Sequence, residues 1–260
     1  MQFRFLMLKH TFVHCPGISL NTERKIWNQN IFTWNDFLEK QDSLDLGANK
    51  KTNIHNNIHN SIDAIKNKDY SCFSSIPSNQ HWRLYSALKE KTCFLDIETT
   101  GLSKNYDEIT LIGIHSANGT KIFMNGKNLE KFEDELKKYS MIVTFNGRCF
   151  DVPFIKKKFP DVSINQFHAD LRFIMADLGF RGGLKNVERE RGIIRSSEIK
   201  DVDGFEAVHL WHKYQRGDND SLATLKSYLT ADIQNLAPLM ELAALEMKKK
   251  HFYDVINSHC

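Results

Sequence analysis

The stretch Phe94-Leu95-Asp96-Ile97-Glu98-Thr99-Thr100-Gly101-Leu102 ends an apolar run with two carboxylates two residues apart. If the run is a strand, side chains at i and i+2 share a face, so Asp96 and Glu98 project together at its C-terminal end. Two carboxylates on one face can hold a divalent cation. The same text also suits a strand that leads into an ordinary acidic turn, so the rest of the chain has to decide.

The segments that follow keep a strand-like period. Residues 92–98, 109–115 and 121–124 are short apolar runs rich in β-branched residues and separated by Gly, Asn or Asp turns, which predicts three neighbouring strands joined by hairpin-type connections. Leu129, Phe132, Leu136 and Tyr139 then take helical spacing ahead of a strand at 141–145, and residues 162–168 read as a fifth strand after a helix that begins near Asp151. Beyond Asp170 helices dominate. Gly182-Gly183 introduces a helix over 184–191 that Gly192 can cap, and 205–214 is amphipathic. A last long helix over 220–248 carries Leu222, Leu225, Leu229, Ile233, Leu236 and Met240 as one stripe, with a kink expected at Pro238. On the flank of that stripe Tyr228 and Asp232 are four residues apart, so they share a helical face and can point into one cleft.

A chain of 260 residues, 41% hydrophobic and 26% charged, can bury a full core and reads as soluble and globular. The apolar tint of Met1 to Leu8 is interrupted by Arg4 and closed by Lys9 and His10, too early for a signal core or a membrane span, so a cytoplasmic protein with no membrane partner is expected. Cysteines at 15, 72, 93, 149 and 260 form no CxxC pair and suit reduced thiols. A net charge of +3 does not by itself imply a polyanionic partner. The basic runs at 156–158, 181–195 and 248–250 are read as solvated faces, with contact to a polyanion as the alternative.

The chain divides by composition. Residues 1–45 read as a small helical appendage: Cys15-Pro16-Gly17-Ile18-Ser19 is a turn, a helical pattern follows through Ile26 and Trp27, and Thr33-x-x-Asp36 has the form of a capping box ahead of Phe37 and Leu38. Residues 46–90 turn to Asn, Lys, Ser and His and read as a linker with one short helix, in which His55 and His59 have chelating spacing only if helical. The main domain is expected over 91–248, with a tail over 249–260. The paired short helices resemble a helix-hairpin-helix element, whose amides can grip a phosphate. Ser19 stands where that motif has its second glycine, which leaves DNA contact and a purely structural role both open.

A second chemical signal is Phe145-Asn146-Gly147-Arg148-Cys149-Phe150-Asp151, where a strand ends in a polar turn and Asp151 opens a helix with Pro153 in its first turn. Asp96-Ile97-Glu98-Thr99-Thr100-Gly101, Asn-x-x-x-Phe-Asp ending in Asp151, and Tyr228-x-x-x-Asp232 follow in that order. With these three motifs the chain resembles the DEDD 3′-to-5′ exonuclease superfamily, named for four acidic metal ligands. Tyrosine four residues before the last aspartate is similar to the DEDDy branch, since the histidine branch has His one position earlier, where this chain has Ser227. Trp82-Arg83-Leu84-Tyr85, Gly182-Gly183-Leu184-Lys185, Glu188 and the Pro16-Gly17-Ile18 appendage extend the resemblance to a branch of predicted exonucleases with ribonuclease H-like domains.

The resemblance implies an α/β fold, a ribonuclease H-like mixed five-stranded sheet flanked by helices, and a divalent-metal-dependent 3′-to-5′ exonuclease acting on single-stranded DNA or RNA. It implies two Mg²⁺ or Mn²⁺ ions held by Asp96, Glu98, Asp151 and Asp232, with Tyr228 orienting the attacking water. Asn146, Arg148 and Lys185 are candidates for substrate contact. Phosphodiester hydrolysis needs an activated water, a stabilised leaving oxygen and compensation of phosphoryl charge, which two hard cations supply. Each residue also has a plainer reading: Tyr228 as a core-edge tyrosine, Asp151 as a helix cap, Asp232 as a solvated helix residue. Two other functions stay open, a structure-specific endonuclease of the same fold and a catalytically silent nucleic-acid-binding module.

Overall fold

A computed structural model describes residues 7–257, so Cys260 and the first six residues of the apolar N-terminal stretch lie outside the described part. The chain forms two compact units, one of residues 88–243 and the other of residues 1–87 with 244–260. Among the described residues no helix is long and apolar enough to cross a membrane. Cys15, Cys72, Cys93 and Cys149 are free thiols.

In the N-terminal unit, α1 (Leu20–Trp27) is capped by Ser19, whose hydroxyl accepts from the Thr22 amide. Helix α2 (Trp34–Lys40) has the full capping box between Thr33 and Asp36. Buried Glu23 organises this unit by accepting from the Phe12 and Val13 amides at 2.6 and 3.2 Å and pairing with Arg83 Nη1 at 2.8 Å. The segment expected to be a linker with one short helix contains instead the 19-residue α3 (Ala48–Lys66). The reason is a stripe hidden in polar text: Ile54 and Ile58 are fully buried, while Thr52, Asn57 and Ser61 return hydrogen bonds to carbonyls four residues back. A single turn, α4 (Tyr85–Leu88), precedes the sheet.

The larger unit carries a five-stranded mixed sheet in the order β3-β2-β1-β4-β5, made of Thr92–Thr99 (β1), Ile109–Ser116 (β2), Gly119–Met124 (β3), Met141–Thr144 (β4) and Phe167–Asp170 (β5). The first three strands pair antiparallel, as the hairpin turns predict, and β4 and β5 add in parallel. The fifth strand begins later than the apolar pattern over 162–168 predicts. Val162 and Ile164 owe their apolar character to packing on the core, and ladder pairing starts only at Phe167, opposite Met141.

Period-2 alternation gives the sheet two apolar faces. Cys93, Leu95, Ile97, Ile112 and Ile114 pack with α5 (Phe132–Leu136) and α6 (Asp151–Lys158). Leu111 and Met124 pack on the opposite face with α9 (Gly204–Gln215) and α10 (Asn219–Lys248). Helices α7 (Leu171–Asp177) and α8 (Leu184–Glu190) follow β5. Helix α10 runs unbroken through Pro238.

Candidate active site

Because Cys93, Leu95 and Ile97 fill one core cluster, Phe94, Asp96 and Glu98 project from β1 to the other side, where α10 lies. Gly113 pairs with Asp96 across β1 and β2. A Cβ at this glycine would stand 3.0 Å from both Leu229 Cγ and Ile233 Cδ1. Glycine therefore lets α10 settle close to the sheet, which brings Tyr228 and Asp232 beside the β1 carboxylates. One oxygen from each of Asp96, Glu98 and Asp232 lies within 4.8 Å of the others.

Asp151 arrives from a different direction. The parallel strands β1 and β4 end on the same side, and the turn after β4 leads into α6 with Asp151 as its first residue. The turn is tightly specified. Asn146 adopts a left-handed φ of 69°, and a Cβ on Gly147 would strike the Thr144 side chain. The buried Asp170 carboxylate then accepts from the Asn146, Arg148 and Arg172 amides at 2.7, 3.0 and 3.1 Å. Asp151 is 2% exposed, its Oδ1 makes no hydrogen bond, and its carboxyl faces the amides of Ile97 and of Asp151 itself.

The electrostatics of this corner are those of crowded acids. Burial, then the charges of Asp151, Asp232 and Glu98, push Asp96 well above the usual carboxylate range, and burial with the neighbouring aspartates does the same to Glu98. Burial raises Asp151 to about 7, and it raises Asp232 to about 6 against the opposing Arg195 charge. The Tyr228 phenol is raised by burial and by Asp232, Glu98 and Asp96, and its hydroxyl donates to Asp232. An all-oxygen donor set, strained by its own charge and holding an orphaned carboxylate oxygen, fits a hard divalent cation. His55 and His59, by contrast, have their rings in contact on α3, and His55 Nδ1 is engaged with Gln41.

The residues expected to touch substrate differ in their surroundings. The Asn146 side chain accepts from Arg172 Nη1 at 2.7 Å on the wall of a cleft of about 670 Å³ lined also by Phe145, Phe180, Arg181 and Gly182. Arg148 Nη2 donates to the His168 carbonyl at 2.7 Å. Lys185 Nζ donates to the Lys200 carbonyl at 3.2 Å and to that of Val202, and it stands 5.5 Å from the Tyr228 ring centroid. Four further residues shape the site although no motif position marks them as ligands: Asp170, Glu188, Arg195 and Asn235. Arg195 belongs to a basic run read as a solvated face, yet its side chain is 6% exposed and ion-pairs with Asp232. Of these, Glu188 stands among the residues that extend the family resemblance, and Asn235 lies three residues after Asp232 on one helix.

Residues 93–244 match a family model described as the RNase H superfamily. A search of curated proteins found no match. Among solved structures, the family B DNA polymerase of the hyperthermophilic archaeon Pyrobaculum calidifontis shares 18% identity at a TM-score of 0.50, covering 58% of this chain and 24% of the polymerase. The chain thus spans about a quarter of that protein's length. NrnC of Brucella melitensis shares 17% identity at a TM-score of 0.45, over 67% of this chain and 83% of that one. Since the family match covers more than half of the 260 residues, on a five-stranded mixed sheet flanked by helices, the chain belongs to the RNase H superfamily.

Proposed function

We propose that the protein is a 3′-to-5′ exonuclease of the DEDDy type that hydrolyses phosphodiester bonds of single-stranded nucleic acid, with DNA slightly favoured over RNA. The observation that carries this reading is the convergence of Asp96, Glu98 and Asp232 within 4.8 Å, with the buried Asp151 in electrostatic range and Tyr228 bonded to Asp232. Two Mg²⁺ or Mn²⁺ ions, when bound, supply an activated water, a stabilised 3′-oxygen and charge compensation on the phosphoryl group. In this reading Asp96 serves both ions, Glu98 and Asp232 complete one site and Asp151 helps to hold the other. Tyr228, whose hydroxyl donates to Asp232, would orient the attacking water.

The substrate reading rests on the cleft beside Asn146. Phe145 and Phe180, the latter with the Arg191 guanidinium over its ring, line this cleft together with Arg172 and Arg181, and aromatic rings among cationic side chains suit single strands. Of the three expected contacts we retain Asn146, which lines this cleft, whereas Arg148 and Lys185 do not line it and donate to main-chain carbonyls. We assign the nuclease to residues 91–248 and an auxiliary nucleic-acid contact to the helical segment 1–45, where Gly17 takes a left-handed φ of 78° just ahead of α1.

A single strand labelled at its 5′ end and incubated with Mn²⁺ should yield progressively shorter labelled products, while a closed single-stranded circle should persist. No shortening, with wild type indistinguishable from Asp96→Ala, overturns the proposal. Cutting of the circle would identify an endonuclease instead, and tight binding in EDTA without cleavage in either metal would identify a binding module.

A further inference from the structure

We propose that Arg195 is a positioning residue of the metal centre: it fixes the carboxylate of Asp232 and the ring of Tyr228 through a buried ring of contacts with Glu188 and Asn235. This rests on the two-metal reading above. Arg195 grips Glu188 side-on along one edge of its guanidinium, Nε to Oε2 at 2.6 Å and Nη2 to Oε1 at 2.8 Å. Nη2 also ion-pairs with Asp232 Oδ1. Glu188 Oε1 in turn accepts from Asn235 Nδ2 at 2.9 Å, and Asn235 lies one helical turn beyond Asp232 on α10. The path from Asp232 through Arg195, Glu188 and Asn235 therefore closes on the helix it started from. It ties α8 and the following loop to the segment of α10 that carries the proposed ligand.

Two physical points argue that this ring serves the site and not stability alone. A buried ion pair is a poor stabilising device, because desolvation offsets most of the attraction and an apolar replacement of equal volume holds a fold as well or better. Here the pair is nearly dry, with Glu188 and Arg195 side chains 2% and 6% exposed, and its third member is one of the clustered acids. Second, the geometry orients the Asp232 carboxylate. The Arg195 guanidinium pairs with Oδ1, and the Tyr228 hydroxyl donates to the same carboxylate, so the two together set the orientation in which Asp232 would meet a cation. The same guanidinium lies over the Tyr228 ring, 5.4 Å from its centroid, which restrains the phenol that donates to Asp232. A lysine would bring a point charge without the planar fork needed to hold Glu188 and Asp232 at once.

The test measures Mn²⁺ binding by calorimetry, together with kcat and KM on a single strand, for wild type, Arg195→Met, Arg195→Lys and Glu188→Gln. Loss of a group that orients a ligand lowers metal affinity about 10- to 100-fold, so Arg195→Met should show a loss of that size. Glu188→Gln should lose affinity too, although Glu188 is no ligand in this reading, and Arg195→Lys should recover only part. The kcat should fall by a larger factor than KM rises. Should Arg195→Met fail to fold, Glu188→Gln carries the test on a side chain of the same size. Variants that bind Mn²⁺ as tightly as wild type overturn the proposal. Tighter binding overturns it as well, because the guanidinium would then be a competitor of the cation, and full recovery by lysine removes the role of the fork. If wild type itself binds no Mn²⁺, the two-metal reading fails first, which separates the two failures.

Discussion

Gly113→Ala tests the packing that assembles the site. The new methyl would stand 3.0 Å from Leu229 Cγ and Ile233 Cδ1, where carbon atoms ordinarily settle at about 3.5–4.0 Å. Both neighbours are fully buried in the cluster between sheet and helix, so the overlap of roughly 0.5–1 Å is relieved mainly by moving α10 outward. Overpacking of this kind costs about 1–3 kcal/mol, and each kcal/mol lowers the Tm by about 2–4 °C for a unit of this size. The functional penalty should exceed the structural one. Asp232 and Tyr228 flank the two displaced side chains in sequence, and Mg²⁺ requires oxygen ligands at about 2.0–2.1 Å, so a shift of several tenths of an ångström breaks the coordination. Misplacement on that scale is expected to lower the rate by up to about 100-fold. Urea denaturation in EDTA reads the first effect, and Mn²⁺ titration with single-strand cleavage reads the second. Gly204→Ala is the control, since a methyl on this first residue of α9 would meet nothing within 4 Å and should leave both quantities unchanged. A Gly113→Ala protein with wild-type midpoint and wild-type Mn²⁺ affinity would refute the claim that this glycine sets the helix-to-sheet distance.

Three other outcomes follow from the charges. Asp96→Asn removes one of the mutually repelling acids, so the metal-free protein should melt at a higher temperature than wild type while Mn²⁺ no longer raises its Tm; a lower metal-free Tm with the Mn²⁺ effect intact would contradict the acidic-site reading. Asp151 and Asp232 are raised from 3.8 to about 7 and about 6, so the folded state binds their protons more tightly than the unfolded chain. Their contribution to stability is complete below about pH 4 and is lost as pH climbs through 6 to 7. Urea midpoints in EDTA should show that loss, and it should shrink in Asp151→Asn; an identical pH profile in the variant would refute the assignment. In the N-terminal unit, Arg83→Met strands Glu23 in a dry interior and should destabilise by about 3 kcal/mol, with Glu23→Gln in the same chain restoring part of it; a loss under about 1 kcal/mol by urea denaturation would mean that the Phe12 and Val13 amides suffice.

Much of this fold was legible because the signals are local. Alternation over 92–98 put Asp96 and Glu98 on the face opposite Cys93, Leu95 and Ile97, and the stripe from Leu222 to Met240 marked α10 with Tyr228 and Asp232 on one flank. The Thr33 capping box and the helix stop at Gly192 followed from residue chemistry alone. The pattern misleads where packing and pairing share one apolar signal, as at Val162 and Ile164, or where asparagines mask a stripe, as in α3.

From its sequence alone, then, both acidic pairs and most of this protein's strands and helices are determined, α3 and the start of β5 excepted, since periods of 2.0 and 3.6 residues and capping hydrogen bonds act within a few positions. Only the tertiary structure decided that the β1 pair and the α10 pair meet. That depends on a glycine 17 positions beyond Asp96 leaving room for a helix more than 100 residues further on. It likewise decided that Arg195, one cation in a basic run, is enclosed. Whether a long charged side chain is solvated or buried is set by what packs around it, and no local period records that.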